Sequence, residues 1–365
     1  MSTHSPFCGI VPPHILEHLR SHAEDPAVRT AAARSLALDE RHRERRTLLP
    51  PPRGLRSSSS DRAAALLDTP VRTISDDRHT QTLPGRTVRT EGAPPVADGT
   101  VDRAYDGLGA TFGFYLAAYG RHSIDGRGLP LDATVHYGRT YDNAFWNGSR
   151  MIFGDGDGVL FNDFTVSVDV IGHELTHGVT QYSANLDYQG QSGALNESLS
   201  DVFGSLVKQY ALGQTAAQAD WLIGAGLLAP GVHGVALRSM KAPGTAYDDP
   251  DLGADPQPAT MAGYVAGDSD NGGVHLNSGI PNHAFYLAAT AIGGHAWERA
   301  GQIWYDVLTG GRLAASADFA AFAAATEAAA EARYGPGPES AAVRDAWSRV
   351  GVRAAARPRV QPVAE

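Results

Sequence analysis

The chain has 365 residues, of which 42% are hydrophobic and 19% charged, enough to build a substantial core in about two domains. A formal net charge of -10 offers no basic surface to nucleic acid or to an anionic membrane, so neither is expected as a partner. No apolar run approaches the roughly 18 residues of a membrane span, and Cys8, the only cysteine, excludes an intramolecular disulfide.

The first residues lack a basic start followed by an apolar core, so an ordinary secretory signal is not expected. Residues 14–46 are helix-prone and strongly charged. The stretch 51–62, rich in Pro, Ser and Arg, reads as an exposed, protease-sensitive linker. From Val71 to Asp169, short runs such as ATVHYGR and SRMIFG alternate with Gly, Asp and Asn clusters and predict strands and turns. After Val170 the spacing becomes helical, and from His295 to about Val350 the chain is alanine-rich and helical. The expected division is a removable segment with its linker (1–60), a β-rich lobe (65–185), an α-helical lobe (186–352) and a tail (353–365), an α+β fold.

The stretch VDVIGHELTHGVT carries the chemistry. His173 and His177 are four apart, which on a helix puts both imidazoles on one face, able to share a metal ion. Ile171, Leu175 and Val179 fall on the opposite side at about 100° per residue. Glu174 follows the first histidine and can reach a water held by zinc, whose pKa two imidazoles and the metal bring towards ~7. The same pattern on a surface helix with incidental histidines would mean nothing, so a third ligand is needed. SGALNESLSD supplies Glu197, with Asp201 one turn later to accept from a ligand imidazole.

With those motifs in place, the sequence resembles the thermolysin family of zinc endopeptidases. The glutamate lies 20 residues after the second histidine, and GHELTHGVT, SGALNESLSD, YDNAFWNG, FGDGDG, ALRSM and DNGGVHLNSGI occur in the family's order between about Thr80 and Val350. The resemblance implies a two-lobe fold with the HExxH helix at the floor of the cleft. It implies His173, His177 and Glu197 as zinc ligands and Glu174 as general base. Tyr188 and His275 would donate to the developing oxyanion, where fixed donors lower the barrier by about 3–4 kcal/mol each. Asp270 would orient His275. Asp201 and Asn196 would support the ligand histidines. Asn143, Ala144 and Arg238 would hold the substrate backbone. Phe161, Phe164, Val170, Ile223 and Leu237 match the main specificity pocket, implying cleavage on the amino side of Leu, Phe or Ile.

One departure concerns calcium. Asp169 and Asp220 match two of the family's calcium ligands, but Lys208 stands where a third carboxylate is expected, and Ala225 and Gly226 fill two more positions. Calcium takes about six to eight oxygen ligands. The expectation is that the Lys208 ammonium replaces the calcium charge and pairs with Asp169 or Asp220. The N-terminal FCGIVPPHIL resembles the short pro-segment of the protealysin branch, which implies a segment that folds against the catalytic part and blocks its cleft. Cys8 could then fill the open zinc position as a switch, or remain a thiol without metal.

The reading is a latent zinc metalloendopeptidase, monomeric, acting on protein or peptide substrates and inhibited by its own propeptide. Action outside the cell by a route without a visible signal is expected, with a cytoplasmic site left open. Two rivals stand beside it. A zinc aminopeptidase would need an acidic group for the substrate's free amine. A binding protein that kept the fold would have lost catalytic positions, and every position matched here is intact.

Overall fold

In the computed structural model, which describes residues 9–48 and 68–354, the chain opens with two helices, α1 (Pro13–His22) and α2 (Pro26–Leu48). Proline begins each, where its missing N–H costs nothing. Ile15, Leu16 and Leu19 of α1 and Val28, Ala32 and Leu38 of α2 are buried. Ile15 and Val28 belong to the continuous core of the rest of the chain, so the segment has no separate core. The expected linker at 51–62 and the tail from residue 355 onward lie outside the described residues, as does Cys8.

Next comes a five-stranded sheet: β1 (Arg72–Asp76), β2 (Arg86–Thr90), β3 (Leu131–Val135), β4 (Ala144–Trp146) and β5 (Met151–Phe153), in the order β2-β1-β3-β5-β4. β1, β3 and β5 run parallel, and the outer strands are antiparallel to their neighbours. The sequence predicts this region as strands and turns, yet it also holds α3 (Gly99–Tyr119), which provides the crossover from β2 to β3. Four glycines hide this helix, since each weakens it by about 1 kcal/mol relative to Ala. Tertiary packing overrides that cost. Asp98 caps the first turn by accepting from Thr100 and Val101, and a Cβ on Gly107 would lie 2.3 Å from Ile171 Cδ1. The glycine there permits close packing on the next helix.

That next helix is α4 (Val168–Gln181), and it packs on α5 (Gly190–Leu212). Both are buried over almost their whole circumference. The polar seam expected on α4 therefore faces protein, not solvent, and each of its groups needs a partner. A Cβ on Gly204 would lie 2.4 Å from the Asp169 carbonyl oxygen and 2.9 Å from His173 N. The backbones of α4 and α5 can approach this closely only with glycine there.

The second lobe follows with the paired two-residue strands β6 (Leu222–Ile223) and β7 (Arg238–Ser239). Then come α6 (Asp270–Asn277), α7 (Gly279–Ile292), α8 (Ala300–Thr309), α9 (Phe319–Tyr334) and α10 (Pro338–Arg349). Trp304, Phe322 and Trp347 form an aromatic cluster that joins α8, α9 and α10. Among the described residues no helix is long and apolar enough to cross a membrane.

Two glycine substitutions should separate packing from propensity. Gly204→Ala should destabilise the chain by about 1–3 kcal/mol or more, because the clash is with backbone. Gly113→Ala, in the interior of α3 with nothing within 4 Å of the new Cβ, should stabilise by about 0.5–1 kcal/mol. Urea denaturation of both variants checks the contrast. Equal effects of the same sign would refute this account of the α4–α5 contact.

Candidate active site

Three groups from α4 and α5 converge. His173 Nε2 and His177 Nε2 are 3.0 Å apart, and each lies 3.5 Å from an oxygen of Glu197. The spacing of four residues on α4 aligns the imidazoles, and α5 crosses close enough to add the carboxylate. All three are buried.

The supporting shell fixes which nitrogens point inward. His173 Nδ1 donates to Asp201 Oδ1 at 2.8 Å, and His177 Nδ1 donates to Asn196 Oδ1 at 2.9 Å. With both Nδ1 atoms donating, the two Nε2 lone pairs face each other and a carboxylate. Such a donor set is stable only around a cation, and two imidazoles with one carboxylate suit zinc. Burial, partly offset by the Glu197 charge, brings the His177 pKa down to about 4, so this imidazole is neutral and able to ligate at neutral pH.

Asp201 is the hub of this shell. It also accepts from Arg238 Nε and Nη2 at 2.9 Å each and from Asn282 Nδ2 at 2.8 Å. Burial would favour its neutral form, but Arg238 and His173 hold its carboxyl well below the usual range. Ser200 lies 3.1 Å from His177 Nδ1. Sequence reasoning missed Ser200 and Asn282. Ser200 could have been found, being four residues after Asn196 on the same face. Asn282 comes from α7, and no local pattern announces it.

Glu174 is fully buried beside the cluster. Trp146 N–H donates to its Oε2 at 3.0 Å, while Oε1 has no hydrogen-bond partner. Burial, then the Glu197 charge, push its pKa well up. The Tyr188 hydroxyl donates to Glu197 and lies 3.3 Å from His275 Nε2. His275 Nδ1 donates to Asp270 Oδ1 at 2.6 Å, and its backbone N–H reaches Asp270 Oδ2 at 2.9 Å. Burial works against the charged imidazole, but Asp270 and Glu197 raise its pKa to about 9. The DNGG turn makes this geometry possible: Asp270, Asn271, Gly272 and Gly273 all have positive φ, and the chain enters regular helix only after them.

The N-terminal segment occupies the cleft as an extended strand. Gly9 bridges antiparallel to Phe145, and Ile10 N–H donates to Ala144 O at 3.0 Å. Val11 N–H donates to Asn143 Oδ1 at 2.9 Å, and Asn143 Nδ2 reaches back to Val11 O at 3.4 Å. Arg238 Nη1 donates to Ile10 O at 2.9 Å. Asn143, Ala144 and Arg238 therefore do hold a peptide backbone. A Cβ on Gly9 would lie 2.5 Å from the Asn143 amide, so the strand needs glycine there. From α2, Asp39 accepts from Tyr141 Oη at 2.5 Å and from Asn143 Nδ2 at 2.9 Å. Phe161, Phe164, Val170, Ile223 and Leu237 are all buried and share one continuous core with Ile10. Cys8, expected as a possible zinc ligand, lies outside the described residues.

Lys208 lies between the two acids named for it, with Nζ 2.7 Å from Asp169 Oδ2 and 2.9 Å from Asp220 Oδ1. It also donates to Leu222 O at 2.6 Å. Burial opposes its charge, but Asp169 and Asp220 hold its pKa above the ordinary lysine value. Asp169 Oδ1 meanwhile accepts from Ser167 Oγ at 2.5 Å and Gly224 N–H at 3.2 Å.

Comparison with known proteins agrees with this geometry. Residues 56–181 match the family described as the thermolysin metallopeptidase catalytic domain, and residues 184–352 match its alpha-helical domain. The chain is 52% identical over 351 residues to an extracellular metalloprotease of Pectobacterium carotovorum subsp. carotovorum, covering 95% of this chain and 97% of that one. It is 45% identical over 354 residues to protease PrtS of a Photorhabdus species, covering 95% and 92%. The solved precursor of protealysin, a metalloproteinase from Serratia proteamaculans, superimposes with a TM-score of 0.84 at 51% identity, over 94% of this chain and 99% of that one. The chain belongs to the thermolysin family of metallopeptidases, in its protealysin branch, and is a zinc metalloendopeptidase made as a precursor.

Proposed function

We propose that the enzyme cuts peptide bonds on the amino side of Leu, Phe or Ile, and that the N-terminal segment keeps it latent, its residues Gly9 to Val11 lying in the cleft as a substrate does. One observation carries this. Ile10 is fully buried, with its N–H on Ala144 and its carbonyl on Arg238, two residues expected to hold a substrate backbone, and this supports reading Gly9–Ile10 as the counterpart of a scissile bond. The five apolar residues named for the pocket then define the preference.

Zinc held by His173, His177 and Glu197 would supply Lewis-acid polarisation of the carbonyl and a water that deprotonates near neutral pH. Glu174 keeps Oε2 on Trp146 N–H and uses the unpartnered Oε1 to take the water's proton and deliver it to the departing amine. Tyr188 and His275, 3.3 Å apart, donate to the oxyanion once the N-terminal strand has left. Asp270 fixes the His275 ring so that Nε2 points into the cleft. Asn143, Ala144 and Arg238 align the substrate backbone. We further propose that the enzyme is a monomer that acts outside the cell, as the name of its Pectobacterium relative suggests, and that Lys208 takes the place of calcium.

A peptide-library digest read by mass spectrometry should show internal cuts before Leu, Phe or Ile once residues 1–60 are removed. Glu174→Gln should lower the rate by about 10²–10⁴-fold. Loss of N-terminal residues alone would favour an aminopeptidase, and no cutting by the processed enzyme would favour a binding protein.

Lys208→Met should cost about 3–5 kcal/mol, because the buried Asp169 carboxylate loses its counter-charge. The parent should retain no calcium after dialysis. Tightly held calcium in the parent would refute the replacement.

A further inference from the structure

A second cluster of metal-ligating side chains lies outside the catalytic site and shares no residue with it. Its members follow the three parallel strands in turn. His79 is in the loop after β1, His136 immediately follows β3, and Asp155 follows β5. Because the strands are parallel, their C-terminal ends lie side by side, and the three side chains meet there. We propose that His79, His136 and Asp155 form a second metal site, for zinc or a cation of similar ligand preference, with water completing the shell.

The distances suit a metal. His136 Nδ1 lies 2.9 and 3.0 Å from the two oxygens of Asp155, and His79 Nδ1 lies 3.3 Å from Asp155 Oδ2. One donor atom from each residue falls within 4.8 Å of the others. Neighbouring donors around tetrahedral zinc are separated by about 3.3 Å, given metal–ligand distances near 2.0–2.1 Å. Small side-chain adjustments bring the set to that spacing. Two imidazoles and one carboxylate favour zinc over calcium or magnesium, which take oxygen. The His79 side chain is 53% exposed, which leaves a path for the ion and room for water.

The support around the cluster resembles that of the catalytic zinc ligands. His136 Nε2 donates to Asp98 Oδ2 at 3.1 Å, which orients the ring with Nδ1 on the cluster; without an ion Nδ1–H donates to Asp155, and a bound ion would take the place of that proton. Asp98 cannot swing away, since its other oxygen caps α3 through Thr100 and Val101 N–H. The loop carrying His79 is pinned as well: Arg78 N–H donates to Asp76 Oδ1 at 2.7 Å, and His79 N–H donates to His136 O at 2.8 Å. A bound ion would tie the ends of three strands and, through Asp98, the start of α3. The competing account is a charged His136 held between Asp98 and Asp155, with His79 a bystander.

The two accounts differ in stoichiometry. The full chain carrying Glu174→Gln, which prevents self-processing, is stripped with chelator, titrated with zinc at micromolar free concentration, and analysed by plasma mass spectrometry. Two zinc ions per chain are expected, falling to one in both the His79→Ala and the Asp155→Asn backgrounds, with circular dichroism confirming the fold of each. Zinc should also raise the thermal midpoint of zinc-loaded His79→Ala less than that of its parent. One zinc per chain in the parent, or a second zinc that survives His79→Ala, would overturn the proposal.

Discussion

The structure depends on burying charged and polar groups between two helices whose backbones nearly touch. α4 and α5 meet where a Cβ on Gly172 would lie 3.1 Å from Gly204 Cα, and both helices are shielded from water. Their cross-links form a ladder. Asp169 pairs with Lys208, His173 with Asp201, and His177 with Asn196. Numbers rise along α4 as they fall along α5, so the pair is antiparallel and each rung is about one or two turns from the next. At this depth an unpaired charge costs several kcal/mol. The rung at Lys208 and the metal rung below it therefore solve one problem in two ways: negative charge is matched by an ammonium at one level and calls for a cation at the other.

That ladder also explains why the cleft can be closed by a short segment. Arg238 is held by Asp201, and its remaining Nη1 projects to a peptide carbonyl. Asn143 is a fixed amide that pairs with both sides of one residue. These groups contact backbone, so they hold the segment without selecting its side chains. The N-terminal segment adds Asp39 behind Asn143, a contact no transient substrate need supply. A few hydrogen bonds would not hold a free peptide against its ordering entropy. Covalent attachment and the burial of Ile15, Leu16 and Leu19 make the difference.

The catalytic cluster was legible in the sequence because its ligands are local. His173 and His177 are one helical turn apart, Glu174 is adjacent, and Glu197 with Asp201 repeats the same spacing on the next helix. The pairing of Lys208 with Asp169 and Asp220 followed from the family resemblance, which puts a lysine where a calcium-binding carboxylate is expected, together with the sign of its charge. What stayed hidden depends on tertiary placement. α3 was masked by its glycines, whose purpose is visible only once Ile171 is seen against Gly107. Asn282 reaches Asp201 from a distant helix. The substrate-like register of Gly9, Ile10 and Val11 required the cleft itself. His79, His136 and Asp155 belong to three separate strand ends, and only the parallel sheet brings them together.

Two titrating groups of the N-terminal segment bear on how latency ends. Burial raises the Asp39 pKa to about 6, and burial lowers that of His14 to about 4. The signs oppose. Asp39 binds a proton on docking, so its contribution is full below its free value of 3.8 and is lost as pH rises through about 6. His14 loses a proton on docking, so its contribution is full above its free value of 6.5 and is lost as pH falls through about 4. Between about 4 and 6, one proton is taken up as another is released, and the net linkage from the pair is near zero. Mild acidification therefore supplies little drive to open the cleft through these groups. Amide exchange protection at Ile10 and Val11 in the Glu174→Gln chain, corrected for the intrinsic pH dependence of exchange, should accordingly stay flat across that window. A steep loss of protection towards pH 4 would show that His14 dominates.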